Sequence, residues 1–289
     1  MKMTLDLSQL ATNIELDEQG LWHARSAKAI SYPEQGSEEC FQVEDSSFWF
    51  KHRNHCIVDL IAKHPPGGAI LDIGGGNGFV SHGLQAAGFA AICLEPSLQG
   101  AMNARRRGME HVVCSSLEDA RFKEESLPAA GAFDVLEHVE HEHDFLVSTR
   151  ELLRPGGRLY LTVPAGPRLW SEEDVLAGHY RRYTTESITT ALARAGLEVD
   201  YQSYFFSFLV LPVFLSRTVG GSLFRRRGEA IVRKREHQPP LRLVALWLSR
   251  LCARERRLLA SGKRIKRGTS LLVAARKRTA SDTRPLAVS

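Results

Sequence analysis

Ala69-Ile-Leu-Asp-Ile-Gly-Gly-Gly-Asn-Gly-Phe-Val80 decides the fold of this chain, because a short apolar run closes on an acid and then on four glycines within five residues. Ile70, Leu71 and Ile73, bounded by turn residues, predict a strand buried on both faces of a parallel sheet. Glycines at 74, 76 and 78 let the backbone turn sharply and come close to a ligand, since no Cβ stands in the way. Asp72 falls at the carboxyl end of the strand, where an open α/β sheet gathers its ligand contacts. The spacing also excludes two nucleotide sites. A dinucleotide fingerprint needs G-x-G-x-x-G, but the sixth position is Phe79 counted from Gly74 and Ser81 counted from Gly76. A phosphate-binding G-x-x-x-x-G-K-[ST] run occurs nowhere in the chain.

What remains, D-x-G-x-G-x-G, resembles the first motif of the class I S-adenosylmethionine (SAM) methyltransferases, although tight turns built for structural reasons use the same glycines. Downstream residues extend the resemblance. Ala90-Ala-Ile-Cys-Leu-Glu95 reads as a second buried strand ending in an acid, and Glu95 stands where a carboxylate would accept both ribose hydroxyls. The competing reading of Glu95 is a strand-end acid capping a helix that begins near Ser97. His111 to Glu118 reads as a third strand and loop, in which the resemblance places Ser116 and Leu117 at the adenine. Phe133-Asp-Val-Leu-Glu-His138 is similar to the motif closing the family's fourth strand; it adds Asp134 to the cofactor contacts and sets His138 beside the methyl-transfer site. Glu151 to Pro164, with Pro155-Gly-Gly157, reads as a helix end, a turn and a fifth strand. The resemblance therefore covers about residues 69 to 164. It implies that Asp72, Gly74, Gly76, Gly78 and Glu95 hold SAM.

The expected architecture is α/β: a Rossmann-like, mostly parallel seven-stranded sheet flanked by helices. Residues 1–60 form an amino-terminal extension and a helix over the cofactor, 61–207 the SAM-binding core, 208–268 a basic helical insert, and 269–289 the final strand and tail. In the extension, Asn13 to Trp22 with Asp17-Glu-Gln-Gly20 predicts a small hairpin, and Pro33 to Glu39 a loop. Ser46 to Leu60 predicts a capped helix whose Trp49, Phe50 and Arg53 either close the pocket or pack the core. With 289 residues, 43% of them apolar, the chain has ample core material. Its five cysteines form no C-x-x-C pair, and the start of the chain lacks a signal-peptide apolar region; both point to a cytoplasmic protein, with membrane association left open by the insert.

Leu169 to Tyr183 is too irregular for a strand and follows the carboxyl end of the fifth one, where loops shape substrate sites. Asp174, His179, Arg182 and Tyr183 are candidates to bind or deprotonate an acceptor, and the alternative is an ion pair that fixes the loop. Catalytic candidates are thus His138, His179 and Tyr183. A metal is not expected, because neither H-E-x-x-H nor a Cys/His quartet accompanies His138, His141 and His143. His138 itself reads either as a buried structural histidine or as a base.

The overall charge of +5 hides an uneven distribution. Residues 208–268 hold 16 Lys or Arg against Glu229, Glu236 and Glu255, a net +13, while the rest of the chain carries 22 basic and 30 acidic residues, a net −8. Phe208 to Leu215 is too short to span a bilayer and contains Pro212. Pro239 to Leu259 predicts an amphipathic helix with Leu243, Leu246, Trp247, Leu251 and Leu258 on one face. Such a helix either lies on an anionic membrane or caps the sheet with its basic face in water. Nucleic acid is a minority expectation: the nearest run to an N-P-P-[YFW] motif is Gln238-Pro-Pro-Leu241. The reading is a SAM-dependent methyltransferase acting on a small-molecule or lipid-linked acceptor, with an oxygen nucleophile calling for a base. Its alternatives are a SAM-binding scaffold without turnover and a nucleic-acid methyltransferase.

Overall fold

The computed structural model describes residues 5–26, 34–219 and 242–279. A hairpin of β1 (Ile14–Leu16) and β2 (Trp22–Ala24) is followed by α1 (Glu34–Glu44), a helix that takes up most of the loop expected over Pro33 to Glu39, and by α2 (Phe48–Lys63). The alternating core follows: β3 (Ile70–Ile73), α3 (Phe79–Ala86), β4 (Ala91–Glu95), α4 (Leu98–Arg106), β5 (Val112–Cys114) and the short α5 (Leu117–Ala120). It continues through β6 (Leu127–Phe133), α6 (Glu142–Leu152), β7 (Leu153–Pro164), α7 (Glu172–Leu176), α8 (Thr185–Arg194) and β8 (Leu197–Phe205). Helices α9 (Val210–Val219) and α10 (Arg242–Ala260) then precede β9 (Ser270–Lys277).

These strands form one sheet in the order β1-β2-β5-β4-β3-β6-β7-β9-β8. Strands β3 to β7 run parallel, and β9 is antiparallel between β7 and β8. The chain moves from β3 outward to β4 and β5, then returns to β6 and β7 on the other side. The crevice at this reversal opens at the carboxyl ends of β3, β4 and β6. Successive strand residues point to opposite faces, so two cores form. Leu71, Ile73, Ile92 and Leu94 enter one; Ile70 and Cys93 join Ile57, Ile61 and Leu84 in the other.

Among the described residues the sheet has nine strands, not the expected seven. The predicted hairpin supplies both extra strands: Ile14 to Leu16 pairs with Trp22 to Ala24, and Trp22 and His23 pair parallel with Val113 and Cys114. Otherwise the three-residue β5 would present unpaired backbone groups at an open edge, which natural sheets cover. A second correction concerns the Pro-Gly-Gly run. It lies inside β7 rather than before it, because Leu153 already pairs with Leu127 and the ladder resumes after a register shift at Arg158 and Ala129.

Helix α2 starts one residue after its cap, Ser47, whose side chain accepts from the Trp49 amide. Helix α10 packs beside it. Glu255, the single acid of α10, accepts from the backbone amides of Phe206 and Ser207 and lies 2.8 Å from His52 of α2. Arg256 forms a two-pronged pair with Asp59 at 2.8 and 2.9 Å. The side of α10 turned to the protein is thus Glu255 and Leu259, whereas Leu246 and Trp247, expected on a common apolar face with Leu251 and Leu258, are exposed. The run Arg225–Arg227 and the helix start at Pro239 lie outside the described residues.

Candidate active site

The turn after β3 is built as its glycines require. Gly74, Gly76 and Gly78 have φ of +68°, +55° and +71°, values that L side chains rarely adopt. A Cβ at Gly76 would meet nothing within 4 Å, so this part of the loop faces open space that a ligand can fill. At Gly78 the reason is packing: a Cβ there would fall 2.7 Å from that of Ala104 on α4.

Glu95, at the end of β4, is fixed by the same loop. Its Oε2 accepts from the Gly76 amide at 2.8 Å and its Oε1 from the Ser97 amide at 2.9 Å. Burial pushes this carboxyl up, against the pull of the two amides. Each oxygen keeps acceptor capacity for a further donor, as a ribose diol requires. The helix-start reading of Glu95 is the observed one, and this contact leaves acceptor capacity on the carboxylate. An open glycine cradle with an anchored carboxylate beside it fits SAM. Ser116 caps α5 through the Asp119 amide, and Leu117 follows it, at the end of β5 next to β4. Asp72 is placed differently from Glu95: it is fully buried beneath the loop, where it accepts from Ser81 Oγ at 2.5 Å. Burial raises its carboxyl to about 6 despite that bond. The bond ties the end of β3 to α3 on the far side of the glycine turn.

Asp134 closes β6 with φ +57°, a left-handed conformation that Asp tolerates better than most residues. Thr162 donates to its Oδ1 at 3.0 Å, and Arg53 of α2 approaches Oδ2 at 2.6 Å in an ion pair not aligned as a hydrogen bond. Arg53 also donates to the Phe133 carbonyl at 2.7 Å and lies over the Trp49 ring. Trp49 in turn stacks on Phe206 and Phe50 meets Phe79 edge-on, so this end of α2 sits against the glycine loop.

A second cluster is assembled from two distant segments. His138, in a short 3-10 turn, and His179, after α7, lie with ring centroids 4.8 Å apart. His138 is exposed, which removes its reading as a buried structural residue. Partial loss of water and the neighbouring His179 hold its imidazole below the ordinary value. Glu137 completes the group, with one ligand-type atom from each of the three within 4.8 Å of the others. It is buried, its Oε2 has no hydrogen-bond partner among the described residues, and burial together with Asp134 pushes its carboxyl well up.

Asp174 and Arg182 hold the loop that carries His179. Burial pushes the Asp174 carboxyl up, but bonds from Arg182 at 2.7 Å and His179 Nδ1 at 2.9 Å outweigh it and hold it below the usual range. The loop-fixing reading of Arg182 is the observed one, and Asp174 orients His179 as well. Tyr183 does not join the histidines. It is buried, donates to Glu142 at 2.8 Å, and its phenol is pushed far up by burial, so it pins α6 rather than facing an acceptor.

Sequence reading missed the Arg53–Asp134 pair and Glu255, whose partners lie far along the chain. It also missed Gly100, where a Cβ would come 2.9 Å from Glu95 Cγ; the helix start at Ser97 was the only local hint.

The model of a methyltransferase-domain family matches residues 49–202. The mitochondrial ubiquinone biosynthesis O-methyltransferase of Mus musculus is 29% identical over 120 residues, covering 37% of this chain and 32% of the relative. The ubiquinone biosynthesis O-methyltransferase of Xylella fastidiosa is 31% identical over 141 residues, covering 42% and 56%. The matches thus span from about a third to just over half of these relatives' length. Among solved structures, Haemonchus contortus phosphoethanolamine N-methyltransferase 2 in complex with SAM superposes with a TM-score of 0.54 at 18% identity, over 86% of this chain and 58% of that one; at that identity the likeness is one of fold.

Proposed function

Because the chain belongs to the class I SAM-dependent methyltransferases, we propose that it transfers a methyl group from SAM to a hydroxyl of a small-molecule or lipid-linked acceptor. The observation that carries this reading is that two clusters follow the carboxyl ends of parallel strands of one sheet: Glu95 beside the open Gly76 at the end of β4, and His138 beside His179 after β6. The partial relatives named as O-methyltransferases support oxygen as the nucleophile. Peripheral membrane contact of a cytoplasmic protein belongs to the same reading, and nucleic acid does not.

SAM, when bound, supplies an electrophilic methyl on a sulfonium centre. Glu95 would accept the ribose hydroxyls, with Gly74, Gly76 and Gly78 shaping the turn around the cofactor. Ser116 and Leu117 would border its adenine, and Asp134, held by Arg53, would bound its other end. The protein's share of the rate is proximity and alignment in a site with little water. A hydroxyl must lose its proton as its oxygen attacks, and His138 or His179 takes that proton. Asp174 on Nδ1 leaves Nε2 of His179 as the free nitrogen for this task. The lowered value at His138 keeps its imidazole neutral, and so able to accept a proton, near pH 7.

Calorimetric titration with SAM tests the reading, alongside Gly76→Arg, in which a bulky chain fills the cradle. Saturable binding by the parent and none by the folded variant supports it; a folded parent that takes up no SAM sinks it. A screen of phenolic and other hydroxyl acceptors then follows S-adenosylhomocysteine release, and SAM binding without release from any acceptor would favour a scaffold.

A further inference from the structure

Twelve large hydrophobic side chains are exposed among the described residues, and nine of them fall in three short stretches: 170–180, 211–214 and 244–247. Scattered singly, exposed apolar residues need no explanation; gathered on one side of a molecule, they mark a contact surface. The topology puts these three on one side. The first stretch follows the carboxyl end of β7, and the second follows that of β8, which runs parallel to β7 because both are antiparallel to β9. Both therefore leave the edge of the sheet at which the glycine loop opens.

The third stretch reaches the same side by extension. Glu255 meets His52, Arg256 meets Asp59, and the Ala260 carbonyl accepts from Lys63, so α10 and α2 run in the same direction. Helix α2 begins four residues before His52, beside the glycine loop, whereas α10 begins thirteen before Glu255. The amino-terminal part of α10 thus projects past α2 by about nine residues, or roughly 13 Å at 1.5 Å per residue. Trp247 and Leu246 lie on this overhang, 63% and 48% exposed. Leu211 and Phe214 stand on α9, whose root at Ser207 is tied to Glu255.

The charges select the occupant. Arg250, Arg254 and Arg257 are exposed on α10, while its one acid is buried against α2. A second copy of the chain would set these arginine stripes against each other. An acidic, apolar-cored surface would not, and apolar side chains flanked by arginine with tryptophan at the boundary suit the interface of a bilayer. We propose that the overhang of α10 and the exposed side of α9 dock the protein on a membrane containing anionic lipid, with the mouth of the candidate site turned to the bilayer. This rests on the reading of a lipid-linked acceptor, whose hydroxyl would then reach the histidines without leaving the membrane surface. No helix among the described residues is long and apolar enough to cross a membrane, so the contact is peripheral.

The test is co-sedimentation of the full chain with vesicles of phosphatidylcholine alone and of phosphatidylcholine mixed with phosphatidylglycerol. The parent should sediment with the anionic vesicles and be released by salt. Replacing the three arginines together (Arg250→Gln, Arg254→Gln, Arg257→Gln) should lower partitioning roughly a hundredfold, at about 1 kcal/mol for each charge near the surface. The corresponding triple lysine variant should partition like the parent, and Trp247→Ala should weaken binding several-fold. A parent that stays in the supernatant, a glutamine variant that binds like the parent, or a dimer in light scattering that Trp247→Ala dissolves would each overturn the proposal. SAM titration of the same preparations separates the two readings. Vesicle binding without SAM binding leaves the docking face standing and removes the methyltransferase reading; SAM binding without vesicle binding does the reverse.

Discussion

Glu255 and His52 lie 2.8 Å apart, their side chains almost wholly out of water, and join the basic insert to the helix that carries Arg53. Glu255 also accepts from Phe206 and Ser207, so one carboxylate ties together α10, α2 and the end of β8. Glu255→Ala should cost about 3 kcal/mol or more, since it leaves the amides and His52 without their partner. Urea unfolding reads this as a lower midpoint. The Glu255 carboxyl is held below its ordinary value by His52 and Ser207, which outweigh burial. Its contribution is therefore present above the unfolded value of about 4.5 and lost as pH falls through the lower folded one.

Asp72 should give the opposite slope. With a folded value of about 6 against 3.8, the native state holds a proton that the unfolded chain has lost between those limits. Stability should fall by about 3 kcal/mol as pH rises from about 4 to about 6. Glu44, Glu95 and Glu137 are shifted in the same direction, so the informative quantity is the difference between parent and Asp72→Asn across this range. An unchanged slope in the variant would remove the burial argument for Asp72.

At the cofactor, Glu95→Ala should weaken SAM binding about a hundredfold, as expected for two charge-assisted hydrogen bonds of roughly 1.5 kcal/mol each. Glu95→Gln, which keeps one acceptor oxygen, should fall between this variant and the parent. Calorimetry with circular dichroism as a fold check distinguishes lost contact from lost structure.

His138, His179 and Tyr183 should separate in kinetics. Replacement of the histidine that acts as base should lower kcat by about 10² to 10⁴ with an accepted hydroxyl substrate. If that histidine is His138, kcat/KM should hold as pH falls to about 6.5 and decline below it, because its proton affinity is reduced. Tyr183→Phe should instead keep kcat and lose about 1 to 2 kcal/mol of stability, through its bond to Glu142. A large kcat loss in that variant would restore Tyr183 to the acceptor site.

The proposed cofactor half of the site was legible in the sequence because its parts are local. The glycines, the acid before them and Glu95 act through backbone turns and strand ends that neighbouring residues specify. The proposed acceptor half was only partly legible. His138 stood out by its motif, but its partner His179 comes from another loop, and nothing local indicated that Tyr183 would turn inward to Glu142. The extra strands were half visible: the hairpin was readable, its pairing with β5 was not.

The sequence by itself determined the alternation of strands and helices, the glycine turn after β3 and the concentration of positive charge before the last strand, since periodicity, glycine and charge act over a few residues. Only the tertiary structure decided which polar groups meet and which partners they take. Arg53 meets Asp134, Asp174 meets His179 and Glu255 meets His52 because packing of the sheet and its helices brings them together and removes water from between them. Burial makes such pairs necessary and chain closure chooses the partners, and neither is written in the spacing of residues along the chain.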